Sequence, residues 1–162
     1  MRLVPSGCVI DLLELHRKQP EDVGVVVLFD DFSGTGQAVK EWWDINESII
    51  RPKEAHVVLG LLVLNHLARA TLEEITDQIM AVKELLAAAN VFHEGCTEFS
   101  QNEKRSLLSL CRKTGCAKEY MMGRGECGLL VVFKHGCPNN SIPILWHHNE
   151  GVWESLFQRR GT

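Results

Sequence analysis

Apolar residues along this chain occur in two patterns, continuous runs and stripes at helical spacing. Two runs rich in Val and Leu, at residues 24–29 and 55–64, have the composition of strands that are buried on both faces. Between them, residues 36–50 place apolar side chains along one side of a predicted helix. A strand, a helix and a second strand in this order predict a βαβ unit. We therefore expect an α/β fold with a mainly parallel sheet flanked by helices.

Two further helices are predicted in the N-terminal half. Apolar positions over residues 8–18 follow helical spacing and stop before Pro20. Thr71, with Glu74 three residues later, has the form of a capping box, and an apolar stripe follows it. We therefore expect a long helix over residues 72–89.

The C-terminal half is expected to add one helix and a third strand. Ser100 and Glu103 form a second capping box, and the helix after it should end at Gly115. Residues 127–133 are again rich in Val and Leu and predict the third buried strand. Residues 91–99 are a connection with room for a short strand.

The composition indicates one globular domain spanning residues 1–162. Hydrophobic residues make up 45% and charged residues 23% of the chain, and a net charge of −4 would attract neither nucleic acid nor an anionic membrane. The N-terminus lacks the apolar core of a secretory signal, and the longest apolar stretch, 57–64, is too short to span a bilayer. We expect a cytoplasmic protein whose six cysteines stay reduced.

Zinc is the alternative use of the cysteines and histidines. No Cys-x2-Cys pair occurs, and the pair Cys111 and Cys116 straddles the predicted end of a helix. Cys111 and Cys127 fall at core-facing positions that are typical of buried thiols. We therefore expect no structural zinc.

The most informative polar residues follow the first apolar run. Asp30 and Asp31 come directly after it, and Ser33–Gly36 then lead into the predicted helix. Paired carboxylates can accept hydrogen bonds from the two hydroxyls of a vicinal diol. A glycine-containing loop at a helix start can offer several N–H groups to a phosphate. This stretch therefore predicts a cradle for a ribose 5-phosphate at the carboxyl end of a strand.

Two other interpretations of this stretch remain open. The acids could belong to an ordinary strand end, with one of them acting as a helix N-cap. An Asp-Asp pair after a strand is also the pattern of receiver-like domains that accept a phosphoryl group or bind a metal. The loop of Ser, Gly and Thr favours the sugar-phosphate hypothesis over both.

The same residues resemble the phosphoribosyl-diphosphate (PRPP) binding loop of type I phosphoribosyltransferases. The resemblance implies that Asp30 and Asp31 hold the ribose hydroxyls and that the loop wraps the 5-phosphate through Ser33, Gly34, Thr35 and Gly36. The sequence departs from the family pattern at Ser33 and Gly34, where an apolar residue and a hydroxyl residue are usual.

A second stretch narrows the resemblance. Residues 133–146, Phe-Lys-His-Gly-Cys-Pro-Asn-Asn-Ser-Ile-Pro-Ile-Leu-Trp, are similar to the C-terminal signature of phosphoribosyltransferase-like proteins of bacterial conflict (anti-phage) systems. The resemblance implies that His135, Asn139 and Asn140 lie beside the acid pair and close over a base or a partner. The alternative is that the two asparagines fill turn conformations and cap backbone groups.

The resemblance also implies the ligand, the cofactor and the partners. The ligand would be PRPP or a nucleotide, with Mg²⁺ bridging its oxygens and contacting Asp30 and Asp31 through the ligand. Only 29 residues precede Asp30, whereas the family's pyrophosphate loop and base-recognising hood lie well upstream. We therefore expect the C-terminal part of such a domain, whose sheet is completed by another chain or an upstream domain.

Two functional hypotheses follow. An enzyme of this kind would be a phosphoribosyltransferase, although no residue can be assigned a catalytic role. The alternative is a non-catalytic module that senses a nucleotide or binds another protein.

Overall fold

The computed structural model describes residues 10–157. Three parallel strands form one sheet in the order β1-β2-β3, with β2 in the centre. The strands are β1 Val25–Ser33, β2 His56–Asn65 and β3 Gln78–Leu85. The helices are α1 Leu12–Arg17, α2 Gln37–Ile50, α3 Arg69–Glu73, α4 Gln101–Lys113 and α5 Pro143–Trp146. The predicted fold class, an α/β fold with a parallel sheet flanked by helices, is therefore confirmed.

The βαβ unit at the start of the chain forms as predicted. Strand β1 pairs with β2 from Val25 opposite His56 to Ser33 opposite Leu64, and α2 connects the two strands. Trp43 and Ile50 of α2 are each only 1% exposed and pack on the sheet with other apolar residues of the main core. The predicted helix over residues 8–18 is seen as α1, capped by Asp11, and its part before residue 10 lies outside the described residues.

The predicted helix over residues 72–89 is wrong, since residues 78–85 in the middle of this segment form strand β3. Its apolar residues alternate with a period of two: Ile79 and Ala81 face the core, whereas Met80 and Val82 are exposed. Thr71 lies inside the short helix α3 and caps nothing. The open edge of β2 decided the outcome. Pairing with β3 satisfies the backbone N–H and C=O groups along this edge of β2, which a helix over the same residues would leave unpaired.

The C-terminal half confirms one prediction and corrects another. Helix α4 begins with the predicted capping box of Ser100 and Glu103, and the chain turns at Gly115 with φ of +74°. Residues 127–133 do not form the predicted third strand but make only isolated bridges. Side chains satisfy part of their backbone instead: the Ser141 hydroxyl accepts from the N–H of Val131 at 3.1 Å and donates to its carbonyl at 2.8 Å.

The segment over residues 91–99 forms turns, and no strand occurs there among the described residues. It packs instead into a second, smaller core between α4 and α5. The buried members of this core are Val91, Cys111, Cys137, Ile142, Ile144 and Leu145.

One face of the sheet is covered by α2, whereas the opposite face is open over much of its area. On this open face, alternate residues of the three strands have exposed apolar side chains. Each of these residues is between 47% and 82% exposed. They are Val25, Val27, Phe29, Leu62, Met80 and Val82. The phenyl ring of Phe29 lies over Gly60, where a Cβ would come within 2.7 Å of the ring. Between residues 10 and 157, no helix has the length and apolar character needed to cross a bilayer.

Candidate functional site

The loop Ser33–Gly36 joins the end of β1 to the start of α2. Gly36 adopts φ of +80°, a left-handed conformation that glycine tolerates best, and its carbonyl accepts the first helical bond, from Lys40, at 2.9 Å. A Cβ on Gly36 would lie 3.0 Å from Thr71 and 3.1 Å from the carbonyl of Ala68. The loop is therefore held against the β2–β3 connection, with the N-terminus of α2 behind it.

Two buried asparagines hold the loop from below. The side-chain amide of Asn65 donates to the Gly34 carbonyl at 2.9 Å, and Asn65 is 1% exposed. The carboxamide of Asn140 lies where a Cβ of Gly34 would be, within 2.3 to 2.6 Å. Both amides also donate to the thiol sulfur of Cys127 at 3.4 Å. The glycine at position 34 thus makes room for Asn140.

A cavity of about 80 Å³ lies above this loop. Its lining comes from the end of β1, the loop and the first turn of α2, and from two other segments. These other segments contribute Arg124, Asn139 and Asn140. The cavity therefore joins the loop predicted to bind phosphate to the asparagines of the second motif. Arg124, which lies between two glycines in the sequence, was missed by the sequence analysis.

The two acids lie within β1 and not after it, because the strand continues to Ser33 instead of ending at residue 29. Alternation along a strand places Asp30 on the side of α2 and Asp31 on the open side. Asp30 borders a groove of about 450 Å³ beside α2, and both acids border a groove of about 650 Å³ on the open face. Among the strands of residues 10–157, β1 lies at an edge of the sheet, so both acids stand on an edge strand.

The carboxylate of Asp30 is hydrogen-bonded to the backbone of its own strand. Its Oδ1 accepts a hydrogen bond from the backbone N–H of Asp31 at 2.8 Å. Burial raises the pKa of Asp30 above its ordinary value, and the neighbouring Asp31 carboxylate adds to the rise. Backbone N–H groups of Asp31 and Phe32 act in the opposite direction.

His135 is brought to Asp31 across 104 positions of sequence. Its Nε2 lies 2.5 Å from Oδ2 of Asp31. A tight hairpin carries the histidine, closed by the N–H of Phe133 donating to the Gly136 carbonyl at 2.8 Å. The imidazole stacks on Phe133 with ring centroids 5.4 Å apart, and Phe133 meets Phe32 edge-on at 6.3 Å. The hairpin thus covers the open side of the acid pair.

The predicted site residues therefore form two adjacent groups. Ser33–Gly36, Asn139 and Asn140 line the small cavity, whereas Asp30, Asp31 and His135 lie beside it and do not line it. At about 3.3 Å per residue along a strand, the two groups are separated by roughly 7 Å. One ligand with hydroxyls at one end and a phosphate at the other could contact both.

The cysteines and histidines do not assemble a metal centre in the described part of the chain. Between residues 10 and 157, no three His, Cys, Asp or Glu side chains are grouped closely enough to hold a metal ion. Cys111 and Cys127 are buried, as their core-facing positions predict. Burial raises the pKa of Cys111 to about 11 and also raises that of Cys127, so both thiols stay protonated at neutral pH.

Comparison with known families agrees with this architecture. The parallel sheet and the glycine loop between β1 and α2 are consistent with a phosphoribosyltransferase-like domain, and the family match shows that the chain is one. The model of the PRTase-CE family matches residues 3–159, and the chain belongs to that family. No curated protein and no solved structure matches the chain.

Proposed function

We propose that this domain binds the phosphoribosyl group of PRPP or of a nucleotide. The 5-phosphate would occupy the cavity at Ser33–Gly36, and the ribose hydroxyls would bond to Asp30 and Asp31 along the edge of β1. The observation that carries the proposal is the cavity itself. It lies at a strand–loop–helix junction, in line with two carboxylates on the same strand.

The loop is suited to an anion because its shape is fixed before binding. Asn65, Asn140 and Thr71 lie against the backbone of the loop and hold it in place. The loop N–H groups and the start of α2 then meet the phosphate without a large loss of conformational freedom. This is the arrangement in which backbone donors bind phosphate most strongly.

The side chains of this site suit Mg²⁺ only if the bound ligand holds the ion. Between residues 10 and 157 no three His, Cys, Asp or Glu side chains are grouped to hold a metal ion, so the two carboxylates suit an ion that keeps most of its water and takes oxygens from the ligand. When bound with PRPP, Mg²⁺ would neutralise charge that develops on the leaving pyrophosphate. Asp30 and Asp31 would meanwhile fix the ribose hydroxyls and so orient its C1 carbon.

As an enzyme, the domain would be a phosphoribosyltransferase. A nitrogen nucleophile would form a bond to C1 of the ribose while the bond from C1 to the pyrophosphate oxygen breaks. The protein's part would be to position the sugar and to stabilise charge.

The proposal is tested by calorimetric titration with PRPP and with ribose 5-phosphate. The double variant Asp30→Asn/Asp31→Asn should bind both at least tenfold more weakly than wild type, because two charge-assisted hydrogen bonds are weakened. Asp22→Asn is the matched control, an exposed acid outside both groups of site residues. Equal affinity of the double variant and the control would remove the assigned role of the acids.

A second candidate is a non-catalytic module that binds another protein. The open sheet face favours it, because six large apolar side chains exposed together exceed the isolated ones normal on a surface. Incubation with PRPP and a set of nucleobases separates the candidates. Release of pyrophosphate would exclude a purely non-catalytic role.

For the biological setting, we propose a bacterial conflict system in the cytoplasm. The support is the motif at residues 133–146, whose His135 and Asn140 both reach the candidate site. Phage challenge of cells carrying the native gene context, with wild type or the Asp30→Asn/Asp31→Asn variant, tests this. Equal plaque counts in both strains and in a strain without the gene would contradict it.

A further inference from the structure

Arg124 has a fixed backbone beside the phosphate cavity. Its N–H donates to the Asn139 carbonyl at 2.7 Å, and its own carbonyl accepts from the Asn140 amide at 2.9 Å. The glycines on either side let this segment lie close to its neighbours. A Cβ on Gly123 would come within 2.1 Å of the Asn140 carbonyl, and one on Gly125 within 2.4 Å of the Thr35 methyl group.

The side chain of Arg124 has a charge that nothing in the described structure neutralises. Among the residues that line the cavity it is the one ionised side chain. The ion pairs found between residues 10 and 157 do not include it. Its backbone is therefore held by hydrogen bonds, while the residue is exposed and lines the cavity.

We propose that Arg124 binds the phosphate of the ligand and sets the site's preference for phosphorylated sugars. The guanidinium presents several N–H donors in one plane, which match the oxygens of a phosphate. The loop supplies backbone donors from one side, and Arg124 supplies a full positive charge from the other. This charge matters more in a chain whose net charge is −4.

This inference rests on the proposed function, because it assigns a further residue to the same phosphate site. The two can nevertheless fail separately. The acids should matter for the sugar and not for the phosphate, whereas Arg124 should matter for any phosphate. Ribose 5-phosphate and inorganic phosphate therefore serve as the two probes.

The experiment measures both affinities for wild type and three arginine variants. Arg124→Gln should weaken binding of ribose 5-phosphate and of inorganic phosphate by about tenfold or more. Arg124→Lys keeps the charge without the planar donors and should recover part of the loss. Arg105→Gln is the matched control, since this exposed arginine of α4 does not line the cavity and its loss changes the net charge equally.

Salt dependence and stability provide a second check. The affinity of wild type for inorganic phosphate should fall with added salt more steeply than that of Arg124→Gln. The reason is that salt screens the charge of Arg124, which the variant does not have. The unfolding midpoint of Arg124→Gln should match that of Arg105→Gln, which shows that a lost fold is not the cause.

The outcomes separate cleanly. If Arg124→Gln and Arg105→Gln bind ribose 5-phosphate equally while Asp30→Asn/Asp31→Asn has lost it, Arg124 has no role and the proposed function stands. If only Arg124→Gln has lost binding, the phosphate assignment stands and the sugar role of the acids fails. Wild type that binds neither probe overturns both.

Discussion

The two halves of the candidate site are built differently. On the phosphate side, Asn65 and Asn140 are buried and fix the loop through hydrogen bonds and close contact. On the sugar side, Asp31 is one-third exposed and its side-chain partner in the described structure is His135, which is two-thirds exposed. One half is part of the core, and the other is a surface arrangement.

The difference suits the proposed ligand, whose phosphate and sugar would be recognised in different ways. A phosphate of constant shape is best bound by donors that are already in place, so rigidity helps. A ribose must be admitted and released, and a carboxylate with one exposed partner can exchange that partner for hydroxyls at small cost. Changes on the phosphate side should therefore cost stability, and changes on the sugar side should mainly alter affinity.

The largest effect is expected for Gly34→Ala. The new methyl group would overlap the carboxamide of Asn140, and the free energy of unfolding should fall by about 3 kcal/mol, as for overpacked cores. Urea denaturation measures this. Gly24→Ala is the control, because no atom lies within 4 Å of its added methyl group. In the double variant Gly34→Ala/Asn140→Ala, the loss in free energy of unfolding should be smaller than the sum of the two single losses, because the overlap no longer exists. Strict additivity would contradict the steric account.

Asn65→Ala should be next, at about 2 kcal/mol. It leaves the buried carbonyl of Gly34 without its donor at 2.9 Å. Affinity for inorganic phosphate should fall with it, because the loop loses its support. Asn46→Ala is the matched control, since this exposed amide donates to the Trp42 carbonyl of its own helix and should cost little. Equal losses in both variants would mean that the loop is not held from the core.

On the sugar side, His135→Ala should leave stability nearly unchanged and weaken ribose 5-phosphate about threefold. The reason is that Asp31 loses the contact that orients it, and exposed pairs of this kind contribute about 0.2–1 kcal/mol. In a double-mutant cycle, adding His135→Ala to Asp31→Asn should have no further effect. A full additional loss would show that the histidine acts on something other than Asp31.

The smallest effect is a pH dependence at Asp30. Its pKa in the fold is raised above the ordinary value of 3.8, so its contribution to stability is present below that pH and is lost as pH rises through the folded-state pKa. Asp30→Asn cannot ionise, and its stability relative to wild type should increase over this window. Urea denaturation at a series of pH values measures the difference.

Glu103 provides the contrast in sign. The Ser100 side chain and backbone lower the pKa of Glu103, so its contribution is present at neutral pH and is lost as pH falls through the folded-state pKa. Glu103→Gln should therefore lose stability relative to wild type most at neutral pH. If the stability of both variants relative to wild type changed in the same direction as pH rises, the causes given for the two pKa shifts would be contradicted.

Local patterns predicted some elements reliably and others not. Residues 36–50 and the capping box at Ser100 specify helices by spacing and by hydrogen bonds within one turn, and both helices form. The segment over 72–89 also has helical spacing, yet it pairs with β2. Residues 78–85 fit a strand as well, because Ile79 and Ala81, two positions apart, both pack on the core.

The sequence alone determined the βαβ start, the two acids and the glycine loop, because each depends on residues that are neighbours in the chain. Only the tertiary structure decided that Asn140 fills the space left by Gly34, that His135 meets Asp31 and that Arg124 borders the phosphate cavity. These contacts join residues about 90 to 105 positions apart. No local pattern encodes them, since they arise when the second core packs its loops against the end of β1.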